Sequence, residues 1–279
     1  MNIQDFPKRI AIEIMLDCNL SCPVCPRKFI KNKEGCMDKA LWIKLLDEIK
    51  ACSPDSIVLP FWRGESLLHP QFHDFMEEAF KRSLRVHIST NGIPLNDEIA
   101  KQLIKCDFVT FSVHTISGYE SAKKFLKFRM GKTPLIQVSF VESEATTKKF
   151  YASIIKSSDL NGFDTVRFYA QHTKDGLFGS TDKGTTTERI FCPKLQDTLA
   201  IAYDGKISRC SHIWQTEKSI NVRDMSIKEV WNSLVLRKIR ENYPDRQCGP
   251  CGQWTGHTRG ESWYREKEKV VHKNYNLED

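Results

Sequence analysis

Strand-like and helix-like stretches alternate through the first 170 residues, and this alternation restricts the fold more than any other feature of the chain. Short apolar runs at 10–17, 56–62, 84–90, 108–114, 134–141 and 164–169 read as strands. Between them, 38–51, 70–82, 96–105, 117–129 and 146–158 carry helical spacing. In the first of these, Leu41, Leu45 and Ile49 recur every four residues, with Leu46 beside them. In the second, Phe72, Phe75, Met76, Ala79 and Phe80 do the same. Strands separated by helices of this length form parallel βαβ units. Six such units predict an α/β fold, a curled and open (β/α)6 barrel. Right-handed crossovers bring the C-terminal ends of the strands to one face, where functional sites collect.

The loop after the first strand is rich in sulfur. The stretch DCNLSCPVCPRK holds Cys18, Cys22 and Cys25, directly after the alternation Ile10, Ile12, Ile14, Leu16. Thiolates are soft donors that suit iron–sulfur clusters. Three of them can hold three corners of a cube-shaped [4Fe–4S] cluster and leave the fourth iron open. Zinc wants four ligands. The nearest further cysteine, Cys36, stands eleven residues on and completes no familiar zinc spacing. A disulfide reading needs an exported chain, and MNIQDFPKRI contains no apolar stretch for a signal peptide or membrane span. Ten cysteines without an export signal point to a reducing, cytoplasmic compartment and to metal. The net charge of +7 is scattered, with basic residues denser at 123–132, at 237–246 and in the tail. This reads as a solvated face. It is compatible with an anionic substrate and predicts no nucleic-acid or membrane partner.

Polar patches follow the other strands. Trp62-Arg63-Gly64-Glu65-Ser66 comes after the second, Ser89-Thr90-Asn91-Gly92 after the third, and Ser112-Val113-His114 closes the fourth. Each alone is ordinary turn chemistry. Together they share a face with the cysteine loop.

Over residues 8–170 this set resembles the radical S-adenosylmethionine (SAM) superfamily. In that family a Gly-Gly-Glu segment after the second strand binds the amino group of SAM. Gly64 and Glu65 match it, and Arg63 replaces the first glycine. The resemblance further implies SAM contacts for Ser89, Asn91 and Ser112, for Lys124 at the carboxylate, and for Val24, where the family often has an aromatic residue beside the adenine. It implies that an electron from the cluster cleaves SAM and that the resulting 5′-deoxyadenosyl radical takes hydrogen from a substrate C–H bond.

After residue 170 the pattern changes. Residues 171–191 are polar and read as a linker or active-site loop. Cys192 precedes an apolar alternation, Leu199 to Tyr203, that reaches the hairpin-turn pair Asp204-Gly205. The returning strand ends at Cys210. A helix-like stretch at 226–242 leads to Cys248 and Cys251, spaced as CxxC. These four cysteines form a plausible four-thiolate site. The layout looks like a short form of the SPASM, or twitch, extension found behind radical SAM cores. It implies a second [4Fe–4S] cluster; a structural zinc ion is the other group that four thiolates accept. The expected organisation is therefore a partial (β/α)6, TIM-like core barrel over 1–170, the linker, and a hairpin-and-helix metal-binding extension over 192–279. Cys36, Cys52 and Cys106 are left over, the last two expected to be buried small hydrophobes.

The resemblance implies a radical SAM enzyme, a lyase before an epimerase or oxidoreductase, served by a reducing donor such as flavodoxin or ferredoxin. The substrate is expected to be a small polar molecule: a nucleoside, sugar or amino-acid derivative. A queuosine-lyase-like salvage enzyme is one example. Peptide maturation is the alternative, and the seventeen residues before Cys18 are too few for a leader-binding domain. Arg63, His114, Tyr169 and His212 are candidate substrate contacts. An iron–sulfur electron carrier is the non-enzymatic alternative, and it leaves Gly64, Glu65, Asn91 and Ser112 without a purpose.

Overall fold

The computed structural model describes residues 5–142, 160, 162–170, 192–243, 261–266 and 269–274. Six parallel strands build the core: β1 (Arg9–Ile12), β2 (Ile57–Leu59), β3 (Arg85–Thr90), β4 (Phe108–Ser112), β5 (Leu135–Glu142) and β6 (Thr165–Ala170). They lie side by side in chain order. Four helices return the chain between them: α1 (Lys39–Cys52), α2 (Phe72–Lys81), α3 (Asp97–Leu103) and α4 (Ile116–Leu126). The expected helix at 146–158 lies outside the described residues.

Local chemistry explains the helix starts. Asp38, Asn96 and Thr115 each accept a hydrogen bond from a backbone N–H three residues on. These caps satisfy donors that a helix leaves unpaired. The apolar stripe of α1 buries Leu41, Trp42, Leu45, Leu46 and Ile49 against the sheet and α2. Trp42 stacks on Phe75 at 5.3 Å and donates its indole N–H to the Phe75 carbonyl at 2.8 Å. The largest buried side chain of this layer therefore leaves no polar atom unpaired.

Two strands cover only about half of their apolar runs. β2 stops at Leu59 because Pro60 has no N–H for the ladder. β1 stops at Ile12, although Ile14 and Leu16 are buried as the alternation requires. Here the chain stays extended but changes partners. Glu13 N–H donates to Ile201, while Ile14 and Leu16 pair with the backbone of Met37 and Gly35. The end of β1 is thus clamped by the segment that returns from the cysteine loop.

The C-terminal region joins the same sheet. A five-residue helix, α5 (Pro193–Asp197), leads into β7 (Thr198–Ile201) and β8 (Ile207–Ser208). β7 pairs in parallel with β1 along its whole length. β1 is therefore central, and its buried Ile10, Ala11 and Ile12 fit a strand covered on both faces. Gly205 sits at φ +87° in the β7–β8 turn, and a Cβ there would stand 2.3 Å from Asn221 Oδ1. Only glycine satisfies both demands. The stretch at 226–242 forms two helices, α6 (Ile227–Trp231) and α7 (Leu234–Glu241). The break falls where Ser233 caps α7 and starts a new helix. β9 (Glu261–Glu266) adds antiparallel to β6, and β10 (Lys269–Asn274) adds to β9. The sheet runs β10-β9-β6-β5-β4-β3-β2-β1-β7-β8 and does not close, so the molecule is a partial barrel. Among the described residues, no helix is long and apolar enough to cross a membrane.

Candidate functional site

Cys18, Cys22 and Cys25 are partly buried on the loop beyond the β1 extension. Cys25 N–H donates to the Cys22 carbonyl at 3.0 Å, which turns the loop. A short 3-10 turn, Pro26–Phe29, follows. Arg27 then staples the loop closed. Its Nε donates to the Leu16 carbonyl at 3.0 Å, and its terminal nitrogen reaches the Lys33 carbonyl. Asp17 ties the base of the loop to its surroundings. Its side chain accepts from Gly35 N–H at 3.2 Å, and its carbonyl accepts from Glu65 N–H at 2.8 Å.

Burial pushes the Cys22 thiol up to about 11, with Cys25 and Cys18 adding to the effect. Burial also raises Cys18. A bound cation reverses this balance, because a metal-bound thiol is deprotonated outright. Among the described residues, no three His, Cys, Asp or Glu side chains surround a point where one metal ion could bind. The thiols of a cubane each take a different iron and need not converge on one point. The donor set, all thiol and all on one loop, fits a [4Fe–4S] cluster.

The loop after β2 presses against this base. A Cβ on Gly64 would lie 2.3 Å from the Met15 carbonyl oxygen and 2.5 Å from the Leu16 carbonyl carbon. Gly64 is therefore required by close backbone approach. Glu65 is 3% exposed. Its Oε1 accepts from Thr90 Oγ1 at 2.7 Å and from Leu67 N–H at 3.1 Å, and its Oε2 accepts from Asn91 N–H at 2.7 Å. Burial raises the carboxyl pKa against these three donors. A carboxylate offers about four acceptor sites, so one position on Oε2 stays open beside these bonds. The Asn91 side chain donates to Asn19 Oδ1 at 2.8 Å and lies 3.8 Å from Cys18 Sγ. Residues from three strand ends thus meet at Cys18.

Further along this face, Ser89 Oγ is 3.2 Å from Ser112 Oγ, which is 3.3 Å from Ser139 Oγ. This hydroxyl row crosses β3, β4 and β5. His114 stands just beyond β4, and burial lowers its pKa. Val24 is half-buried on the cysteine loop.

Lys124 stands in the last turn of α4. α4 starts at Ile116 beside the site and runs away from it, and eight residues of helix span about 12 Å. α4 buries Gly118, Tyr119, Ala122 and Phe125 and leaves Lys124 in solvent. Arg63 is engaged by other groups of the fold. It is 8% exposed and engages Glu13 with Nε and Nη2 at 2.7 and 2.6 Å. Cys52 is exposed, whereas Cys106 is buried with its thiol pKa raised by desolvation. Tyr169 lies in β6, paired with Val141.

Three residues of this region were not singled out from the sequence. Thr90 sits in the polar patch after the third strand and Asn19 in the cysteine loop, but no spacing assigns them to holding Glu65 and Asn91. Glu13 did carry a signal, as a charge inside an otherwise apolar alternation.

The second cysteine set is only partly in view. Cys192 is buried at the start of α5, and Cys210 is half-buried just after β8. Cys248 and Cys251 lie outside the described residues. Ser208 Oγ lies 2.6 Å from the Ile213 carbonyl and 3.0 Å from the Cys210 carbonyl, so the 210–214 loop is tight. His212 sits in that loop, and its backbone N–H points at Cys210 Sγ at 3.5 Å.

Residues 12–138 match the radical SAM superfamily, and residues 192–252 match SPASM, an iron–sulfur cluster-binding domain. The chain is 25% identical to the tungsten-containing aldehyde ferredoxin oxidoreductase cofactor-modifying protein of Pyrococcus furiosus, over 88% of this chain and 87% of that one. It is 25% identical to the mycofactocin maturase MftC of Mycobacterium tuberculosis, over 39% of this chain and 27% of that one. BtrN, solved with AdoMet and 2-DOIA, superposes with a TM-score of 0.60 at 15% identity, covering 95% of this chain and 98% of that one. Streptococcus suis SuiB, solved with its precursor peptide SuiA, gives 0.65 at 15% identity, covering 91% and 71%. These two share the fold.

Proposed function

We propose that this chain, which joins a radical SAM domain to a SPASM domain, is an enzyme that cleaves SAM reductively and removes hydrogen from a small polar substrate. Its cofactors are a [4Fe–4S] cluster and SAM, with further iron–sulfur bound in the SPASM region. When bound, this pair supplies one-electron cleavage of a sulfonium C–S bond and, from it, abstraction of a C–H hydrogen.

The observation that carries the reading is the meeting of Glu65, Asn91 and Cys18. Glu65 reaches Asn91 N–H at 2.7 Å, and the Asn91 side chain lies 3.8 Å from Cys18 Sγ. In this reading Cys18, Cys22 and Cys25 would hold the cluster at which SAM binds. Glu65 offers its open acceptor position to the SAM ammonium, and its three fixed hydrogen bonds keep the carboxylate from turning away. Asn91, Ser89, Ser112 and Val24 would be the contacts for the rest of SAM. An electron carrier has no need of a buried carboxylate aimed beside its cluster, which favours the enzyme.

A small polar substrate is supported by the uncharged hydroxyl row Ser89–Ser112–Ser139, which offers hydrogen-bonding groups. The P. furiosus relative, matched over most of both chains, is named for modifying a cofactor, which fits the same class. His114, at the end of β4, and His212 are its candidate contacts, and Tyr169 stands on β6 at the same end of the barrel. The reaction is read as bond cleavage after hydrogen removal, as in a lyase of the queuosine-lyase kind. A flavodoxin- or ferredoxin-type donor supplies the electron. Peptide maturation is the second reading: MftC is named a maturase, and SuiB was solved with a precursor peptide.

Anaerobic reconstitution followed by a screen of deuterated substrates tests this. Deuterium appearing in 5′-deoxyadenosine with a nucleoside, sugar or amino-acid derivative supports the first reading. Transfer from peptides alone supports the second.

A further inference from the structure

Arg63 stands where the related motif has glycine, and the structure gives it a different task. Its guanidinium is buried against Glu13, which is fully buried and comes from the end of β1. Two parallel N–H···O bonds fix its plane. The remaining terminal nitrogen, Nη1, donates to the Trp214 carbonyl at 3.0 Å. The guanidinium also lies 4.2 Å from the Trp62 ring centroid, a favourable stacking arrangement. Trp62 turns its indole N–H to the Ser211 carbonyl at 2.8 Å. Glu13 closes the arrangement by accepting from Tyr203 N–H at 3.3 Å, while its own N–H donates to Ile201.

Two adjacent side chains of the Trp62–Ser66 segment therefore grip both ends of one short loop. The loop runs from Ser211 to Trp214 and begins directly after Cys210. Between the two grips, His212 N–H points at Cys210 Sγ at 3.5 Å. On the other side, Gly64 and Glu65 follow Arg63 without a spacer. One rigid segment thus carries the SAM-facing carboxylate and also holds the loop behind a cysteine of the second set.

We propose that Trp62 and Arg63 are positioning residues for the second iron–sulfur cluster: by pinning the 211–214 loop they hold the His212 N–H on Cys210 Sγ and so set that cluster's reduction potential. The inference rests on the reading that Cys210 ligates a cluster in the SPASM region. The physical basis is general. An N–H directed at a cluster thiolate stabilises the more negative, reduced state, and hydrogen bonds to sulfur are among the main controls of cluster potential. The Arg63 charge is matched by Glu13, so its influence passes through the loop's geometry.

The test is a potentiometric titration of the reconstituted full-length protein, followed by EPR, for wild type and four variants. Arg63→Gly frees the loop. Because it strands a buried carboxylate, Glu13→Gln/Arg63→Gln and Trp62→Phe serve as variants that keep the barrel neutral or the ion pair whole. His212→Ala removes the side chain and keeps the N–H. In the first three, the second cluster should move to more negative potential. For Arg63→Gly the reduced-to-oxidised ratio at fixed potential should drop about tenfold, equivalent to about 59 mV for one electron. Trp62→Phe should shift less, in the same direction. The cluster at Cys18, Cys22 and Cys25 should keep its potential throughout, and His212→Ala should leave both unchanged. Loss of the second cluster alone from Arg63→Gly, with the first retained, also supports the pinning role. Unchanged potentials in Trp62→Phe and the double variant, at full iron content, would overturn the proposal and leave the two-cluster reading intact. Zinc in place of iron at the second site would overturn both.

Discussion

The two cysteine sets are built in opposite ways. The first places three thiols on one eight-residue stretch, at the end of one strand, with Arg27 closing the loop across its own backbone. The second draws Cys192 and Cys210 from either side of a hairpin, and the sequence assigns it a CxxC some forty residues on. A local site is specified by spacing alone. A dispersed site exists only once the sheet has formed, because β7 must first pair with β1 to bring the hairpin to the barrel. The comparison separates a centre that the fold merely positions from one that the fold assembles, and the following expectations probe that difference.

The largest effect concerns metal content. Wild type should hold about eight irons per chain, two four-iron units of the kind cysteine thiolates bind. Replacing Cys18, Cys22 and Cys25 by alanine should remove about four and leave the second cluster in place. Cys192→Ala/Cys210→Ala should remove the other four and also loosen the last quarter of the chain, since metal binding in small metal domains is folding free energy. Iron analysis and limited proteolysis read both. Equal loosening from the two variants would erase the contrast drawn here.

Gly64→Ala comes next. The added Cβ meets backbone at 2.3 Å, and backbone cannot swing aside. Urea denaturation should show a loss of about 1–3 kcal/mol, the usual cost of overpacking. Glu65→Gln keeps the shape and removes the charge. Charge-assisted hydrogen bonds contribute about 1.5–3 kcal/mol, so SAM affinity should weaken by about tenfold or more by calorimetry. The second cluster's EPR signal should not change.

The smallest effect is the pH response of the barrel. His69 is buried, with Nε2 3.1 Å from the Met37 carbonyl and Nδ1 accepting from Gln71 N–H at 3.1 Å. This arrangement satisfies the neutral ring, and burial lowers the pKa. Burial lowers His87 and His114 as well. Below the ordinary histidine value of about 6.5, the unfolded chain takes protons that the folded chain refuses. Stability should be unaffected by these groups above that pH and should fall as pH drops beneath it. NMR titration of His69 with a midpoint at or above 6.5 would contradict this.

Much of the barrel was legible in the sequence because period and capping agree. In α1 the apolar spacing and the polar cap Asp38 point to the same start. What was hidden depends on direction and partner. Lys124 lies at a plausible distance along the chain from the fourth strand, but only the course of α4 shows that it points into solvent at the far end. Arg63 pairs with Glu13, fifty residues earlier and fully buried, and no local pattern links the two. The single helix expected over 226–242 ignored a local cue, since Ser233 is a good N-cap and begins a second helix.

The central claim is that three thiols on one loop and a carboxylate beside them carry out SAM cleavage. The most direct test measures 5′-deoxyadenosine formed under reducing, anaerobic conditions by the reconstituted protein and by the Cys18→Ala/Cys22→Ala/Cys25→Ala variant. The account predicts formation by the wild type and none above background by the variant, with the second cluster still present. An undiminished yield from the variant would contradict it.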